Sequence, residues 1–107
     1  MANEIENLWT PAHQAVENGD LDNLALLLDS GSNPDEECCG MTLLEHAIDY
    51  EADTAIQSGD EMGVSLIAML LAYGASPRVS GSKGKGPLEL AAEYNHFMAQ
   101  RLIQRHL

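Results

Sequence analysis

Residues 10–34 read TPAHQAVENGDLDNLALLLDSGSNP, and this stretch decides the fold. Thr10 followed by Pro11 is typical of a helix start, because a threonine side chain accepts a hydrogen bond from a helix N–H and proline tolerates the first helical position. A leucine-rich run then ends at Gly31, where a left-handed residue terminates helices, and Pro34 prevents the helix from resuming. The stretch predicts two short helices joined by a tight turn.

The same signals recur twice further along the chain. Thr10 to Thr42 is 32 positions, as is Ala15 to Ala47, whereas Ala47 to Ala91 is 44. An insertion of about eleven residues in the middle copy explains the difference. We therefore expect one domain over 1–107, with repeats near 5–36, 37–80 (insertion near 51–61) and 81–107.

The repeated pattern resembles the ankyrin repeat, whose unit begins G-x-T-P-L-H-x-A-A and ends in an L-L-L-x-x-G-A-x-P type of sequence. TPAHQA at 10–15 and LLAYGASP at 70–77 carry the match. The resemblance implies an all-α solenoid of stacked helix-turn-helix units with extended finger loops. Leu43 replaces Pro, Glu45 replaces His and Gly86 replaces Thr in the later copies, and these departures are expected to weaken the local helix caps.

Apolar residues at helical spacing, together with these start and stop signals, place the helices and loops. Helices are predicted near 11–18, 21–30, 43–57, 62–73, 87–94 and 96–105, with fingers near 31–41 and 75–86. The insertion is expected to lengthen the first helix of the middle repeat, because Glu51 to Gln57 favours a helix.

Charge is unevenly distributed along the chain. The formal net charge is −12, and all five Lys and Arg residues lie at or after Arg78. Residues 1–77 carry 15 acidic residues and no Lys or Arg, whereas residues 78–107 carry five basic and two acidic residues. A field of one sign over most of the chain repels nucleic acid and anionic membranes and attracts basic partners. Solubility alone is the alternative explanation.

Chemical motifs are weak throughout the sequence. No two of the four histidines stand four residues apart, and Cys38 and Cys39 are adjacent, so we predict neither a metal site nor a stabilising disulfide. Glu45 and Asp49 share a helix face and are interpreted as a solvated acidic surface. The glycine-rich loop at 80–86 lacks the ending of a phosphate-binding loop. We expect no catalytic residue, cofactor or enzymatic activity.

Ankyrin-like stacks usually bind partners on a concave face formed by finger tips and the first helix of each repeat. Aromatic anchors with a charged rim favour protein interfaces, and Trp9, Tyr50 and Tyr94 are the expected anchors. For Trp9, capping of the core is an equally good alternative. By register with the family, the predicted partner-binding residues are Glu6, Trp9, Glu17, Asn18, Cys38, Cys39, Met41, Asp49, Tyr50, Lys83, Glu93 and Tyr94. The acidic residues Glu37, Glu45 and Asp53 complete the predicted set.

The sequence thus favours an acidic protein-protein interaction module that is a monomer or weak dimer when free. The leading hypothesis is an inhibitor or immunity-type protein that neutralises a basic enzyme or toxin by binding over its active cleft. The alternative is a cytosolic adaptor or scaffold subunit without inhibitory activity. An acidic N-terminus and the absence of a long apolar run predict a cytoplasmic location.

Overall fold

The computed structural model describes residues 9–82 and 84–107. Within these residues, six helices follow one another in pairs, as predicted for stacked helical repeats, and a two-stranded hairpin lies between the first pair and the second. Their bounds are α1 Pro11–Glu17, α2 Leu21–Asp29, β1 Glu37–Cys38, β2 Met41–Thr42, α3 Leu43–Ser58, α4 Ser65–Ala72, α5 Pro87–Glu93 and α6 Phe97–Arg105.

The helices form two layers. The first helices of the repeats, α1, α3 and α5, pack side by side, and the second helices, α2, α4 and α6, pack behind them. Each helix also packs against its partner in the same repeat, so a continuous aliphatic core runs between the layers. Its fully buried members include Val16, Leu24, Leu43, Leu44, Ile48, Ile67, Leu70 and Ile103. The expected all-α stack is confirmed.

The first helix of the middle repeat, α3, is long, as predicted: it has 16 residues, and Gly59 caps its end in the left-handed conformation (φ 74°). The second helix of that repeat begins at Ser65, so the prediction of a start near 62 is wrong. Val64 precedes α4 without a side-chain cap. Glu51 supplies the cap instead, because its carboxylate accepts the N–H groups of Leu66 at 3.0 Å and Ile67 at 3.4 Å.

The first finger contains a small antiparallel hairpin. Cys38 pairs with Met41 and Glu37 with Thr42, so Cys39 and Gly40 form a two-residue turn. Both turn residues have positive φ, 59° and 88°, as the tightest hairpin turns require. The hairpin leads directly into α3 and fixes the direction of its first turn.

The expected weakening of the caps is wrong for the middle repeat. Thr42 and Glu45 form a reciprocal capping box, in which each side chain accepts the other residue's backbone N–H, at 3.2 Å and 2.9 Å. Glutamate is the residue that completes such a box, so replacing histidine at this position strengthens the helix start. In the third repeat, Gly86 provides no side-chain cap to α5, as expected.

Candidate functional site

Most of the predicted partner-binding residues belong to the first helices of the repeats or to the hairpin. We call the surface of α1, α3 and α5 together with the hairpin at 37–42 the first-helix face. Thirteen of the fifteen predicted residues belong to these elements or directly adjoin them. Glu6 and Lys83 lie outside the described residues.

An acidic row runs along α3 at four-residue intervals. Glu45, Asp49 and Asp53 occupy successive turns of one helix face, and Glu93 at the end of α5 lies close enough to act on Tyr94 together with Asp49 and Asp53. Asp53 and Glu93 are exposed and Asp49 is half-buried, whereas Glu45 is only 3% exposed. The interpretation of Glu45 as a solvated residue is therefore wrong, because the second finger covers it.

The Glu45 carboxylate joins two repeats. Its Oε1 accepts the N–H of Thr42 at 2.9 Å and the N–H of Gly81, in the second finger, at 3.0 Å. Its Oε2 is buried and has no hydrogen-bond partner among the described residues. A buried carboxylate oxygen without a donor costs free energy.

A cavity of about 200 Å³ lies beside this carboxylate. Glu45 and Asp49 line it from α3, Met41 from the hairpin and Leu90 from α5, with Gly40 and Lys85 completing the lining. The Lys85 ammonium is held by both carboxylate oxygens of Glu93, each at 2.6 Å. This ion pair raises the pKa of Lys85. The Lys85 ammonium is thus bound to Glu93 and not to Glu45 or Asp49.

The two tyrosines tie neighbouring repeats together. Tyr94 donates its hydroxyl to Asp49 Oδ1, and Tyr50 places its hydroxyl against the backbone of Gly19, in the turn between α1 and α2. Burial raises the pKa of Tyr94, and the hydrogen bond to Asp49 raises it further. Both tyrosines are half-buried, so each presents only part of its ring to a partner.

Trp9 belongs to an aromatic and histidine cluster at the start of the face. Its ring stacks on His46 with 4.6 Å between centroids, and His46 stacks on His13 at 5.1 Å. The His13 and His46 Nδ1 atoms are 2.9 Å apart. The outer nitrogens contact the Glu36 carbonyl at 3.2 Å and the Glu17 carboxylate at 2.8 Å.

The number of N–H groups limits how many of these contacts can be hydrogen bonds. The carbonyl and the ionised carboxylate only accept hydrogen bonds, so all three bonds require three N–H groups on the two rings, whereas two neutral rings provide two. Burial lowers the pKa of His13. Glu17 contacts His46 across the junction between the first two repeats, although its own side chain is 48% exposed.

The remaining predicted residues lie on the hairpin and the first turn. The Cys38 and Cys39 sulfur atoms are 3.3 Å apart, a hydrogen-bonding separation and not a covalent bond. Glu37 accepts the Ser82 N–H at 2.9 Å and so connects the two fingers. Met41 is half-buried at the cavity, and Asn18, which is exposed, caps the end of α1 and accepts from Gln14.

Sequence reasoning missed the residues that complete the cavity. Leu90, Gly81 and Gly40 carried no recognised signal, because their role depends on how the second finger docks against the first. The capping-box spacing of Thr42 and Glu45 was the available clue that Glu45 points back toward the backbone. In the part of the chain that the structure describes, no group of three or more His, Cys, Asp or Glu could hold a metal ion.

Comparison with known proteins agrees with this geometry. Residues 7–38 match the family model described as Ankyrin repeat, which covers the first helical pair and the start of the hairpin. A search of curated proteins found no significant match to the chain. Among the described helices, none is both long enough and apolar enough to cross a membrane.

Proposed function

We propose that this chain, a small ankyrin-repeat protein, binds a basic protein through its first-helix face and inhibits it by covering its active cleft. Ankyrin repeats are protein-protein interaction modules and typically have no catalytic role.

The acidic row on α3 is the observation that carries the proposal. Asp49, Asp53 and Glu93 surround Tyr94, and Asp53 and Glu93 are exposed to solvent. Aromatic surface within a charged rim suits a protein interface, and the excess of acidic residues over 1–77 steers a basic partner toward it. The partner's basic cleft is the kind of surface that normally holds an anionic substrate, so occupying it inhibits.

The test starts with capture of the partner from cells that make this chain, followed by binding kinetics with the purified pair. We expect a basic enzyme that loses activity in the complex. Its association rate constant should fall at least about tenfold between low and high salt, as for electrostatically steered pairs. A partner without basic character, or an association rate independent of salt, would contradict the proposal.

Matched charge reversals locate the surface. Asp53→Lys changes the acidic row, whereas Glu61→Lys makes the same charge change in the exposed loop before α4. Asp53→Lys should weaken binding by about tenfold or more, since it places a like charge against a basic surface, and Glu61→Lys should weaken it much less. Equal effects would show that net charge matters and the first-helix face does not. An enzyme that stays active in the complex would favour the adaptor role.

A further inference from the structure

We propose that Cys38 and Cys39 form a reversible redox site, at which a low-molecular-weight disulfide converts the two thiols into a disulfide between neighbouring residues. This chemistry goes beyond partner binding and does not depend on it. The chain contains two cysteines in all, so any disulfide within a single molecule must join this pair.

The hairpin turn places the two sulfur atoms in contact. In an extended strand successive side chains point to opposite faces, so the sulfur atoms of neighbouring cysteines ordinarily lie apart. Cys38 keeps the extended pairing with Met41, but Cys39 has a φ of 59°, and the two sulfur atoms are 3.3 Å apart. The turn alone favours asparagine or aspartate at the position of Cys39, so turn propensity does not explain the cysteine.

The two thiols differ in exposure, which sets the order of the reaction. Cys39 is exposed at the tip of the hairpin, whereas Cys38 is half-buried. Thiol–disulfide exchange begins when a thiolate reaches a sulfur atom of the incoming disulfide, so Cys39 is the residue that reacts first. Cys38 then lies in contact with the sulfur atom that it must attack in the second step.

Electrons and protons balance over two exchanges. The Cys39 thiol loses its proton, its thiolate bonds to one sulfur of the small disulfide, and the other sulfur leaves as a thiolate that takes up a proton. Cys38 then loses its proton, bonds to the Cys39 sulfur and displaces the second small thiol in the same way. The two cysteines have together lost two electrons and two protons, which the small disulfide has gained in becoming two thiols.

A disulfide at this position should be reduced easily. Neighbouring Cα atoms are about 3.8 Å apart across a trans peptide, closer than the ~4.4–6.8 Å usual for disulfide-bonded residues, so the bond is strained. It closes no loop of useful length, so little loss of unfolded-chain entropy offsets that strain. Strained and exposed disulfides are the labile ones that act in regulation, and this pair meets both conditions.

The redox state of the pair reaches the second finger. Gly40 follows Cys39, and its carbonyl oxygen packs directly against Gly81. Glu37 precedes the pair and accepts the Ser82 N–H at 2.9 Å. Bringing the sulfur atoms from 3.3 Å to bonding distance must shift this short turn, so the backbone N–H signals of Gly81 and Ser82 should report oxidation.

The test treats the reduced, folded chain with oxidised glutathione, alkylates the remaining thiols and identifies the products by mass spectrometry. We expect mainly monomeric chain that has lost two hydrogen atoms, carries neither glutathione nor an alkyl group, and is returned to its starting form by dithiothreitol. The NMR signals of the Gly81 and Ser82 N–H groups should shift on oxidation and return on reduction. Glutathione adducts, disulfide-linked dimers or unreacted thiols as the main product would overturn the assignment, and unshifted signals would refute transmission to the second finger.

Two controls separate the hairpin geometry from ordinary cysteine reactivity. Cys38→Ser and Cys39→Ser each leave one thiol and should stop at a single glutathione adduct, which should form faster in Cys38→Ser because its remaining thiol is the exposed one. A slower reaction of Cys38→Ser would refute the proposed order. Urea removes the sulfur contact, so the ratio of internal disulfide to glutathione adduct in the parent chain should fall at least about tenfold. An equal ratio in native and unfolded chain would show that the hairpin does not create the site.

Discussion

Replacing Gly81 with alanine should destabilise the fold severely, because Gly81 is where the two fingers meet. A Cβ at this position would lie 2.2 Å from the Gly40 carbonyl oxygen, 2.8 Å from its carbon and 2.9 Å from Glu45 Oε1. The first two atoms are backbone and the third is fixed by the capping box, so no flexible side chain can give way. The second finger must move away from the first.

The magnitude follows from two losses. Forcing an extra carbon into a packed site costs typically about 1–3 kcal/mol. The displaced finger also loses the hydrogen bond from the Gly81 N–H to the Glu45 carboxylate, and bonds to charged groups are worth about 1.5–3 kcal/mol. We expect a decrease of about 3–5 kcal/mol in the free energy of unfolding, a large part of the ~5–15 kcal/mol typical of a domain.

Urea denaturation followed by far-ultraviolet circular dichroism measures the change. Gly63→Ala is the matched control, because its Cβ would meet only Glu51 Oε2, at an ordinary 3.8 Å. That variant should lie within about 1 kcal/mol of the parent. If Gly81→Ala also lay within about 1 kcal/mol, the docking of the two fingers would not contribute to stability as the structure implies.

Three other predictions concern the caps and the titrating groups. Glu51→Ala should lower the free energy of unfolding by about 1 kcal/mol in urea titrations, because it removes the cap of α4, while exposed Glu61→Ala should not. The pKa of His13 lies below 6.5 in the fold, so the unfolded chain binds more protons and the free energy of unfolding should fall as the pH drops below 6.5. In denaturation series at several pH values, His13→Gln should show a smaller dependence on pH. An unchanged dependence in that variant would count against a role for His13. Tyr94 has a raised pKa, so its stabilising contribution should be complete below pH 10.0 and decline above it; alkaline denaturation of Tyr94→Phe should show a smaller decline than the parent.

The repeat architecture could be predicted from local signals. Thr10 with Pro11, the glycine endings at Gly31 and Gly74, and a spacing of 32 residues each depend on short-range backbone chemistry that a sequence displays directly. Lengthening of α3 followed for the same reason. The start of α4 could not be predicted in this way, because its cap comes from Glu51, fifteen residues before Leu66, through a contact that only the folded stack creates.

The candidate site was only partly predictable for a similar reason. Register placed Asp49, Tyr50, Asp53 and Tyr94 on the first-helix face, since helical periodicity fixes which residues share a side. Burial of Glu45 depends on the second finger lying over it, and the cavity depends on Leu90 from another repeat. Contacts between repeats have no fixed spacing in this chain, because the insertion breaks the period.

The length of α3 also limits which repeats can be removed or exchanged. It packs against α1 on one side, α5 on the other and α4 behind, whereas the first and third repeats share no comparable contact. Long repeat arrays tolerate the gain or loss of whole units, because any neighbour can be exchanged for another. Here the middle unit makes specific side-chain contacts with both neighbours, His46 with Glu17 and Glu45 with Gly81, so the outer units are not interchangeable with it. The chain has the form of a modular array, but we expect deletion or exchange of any one unit to unfold the whole.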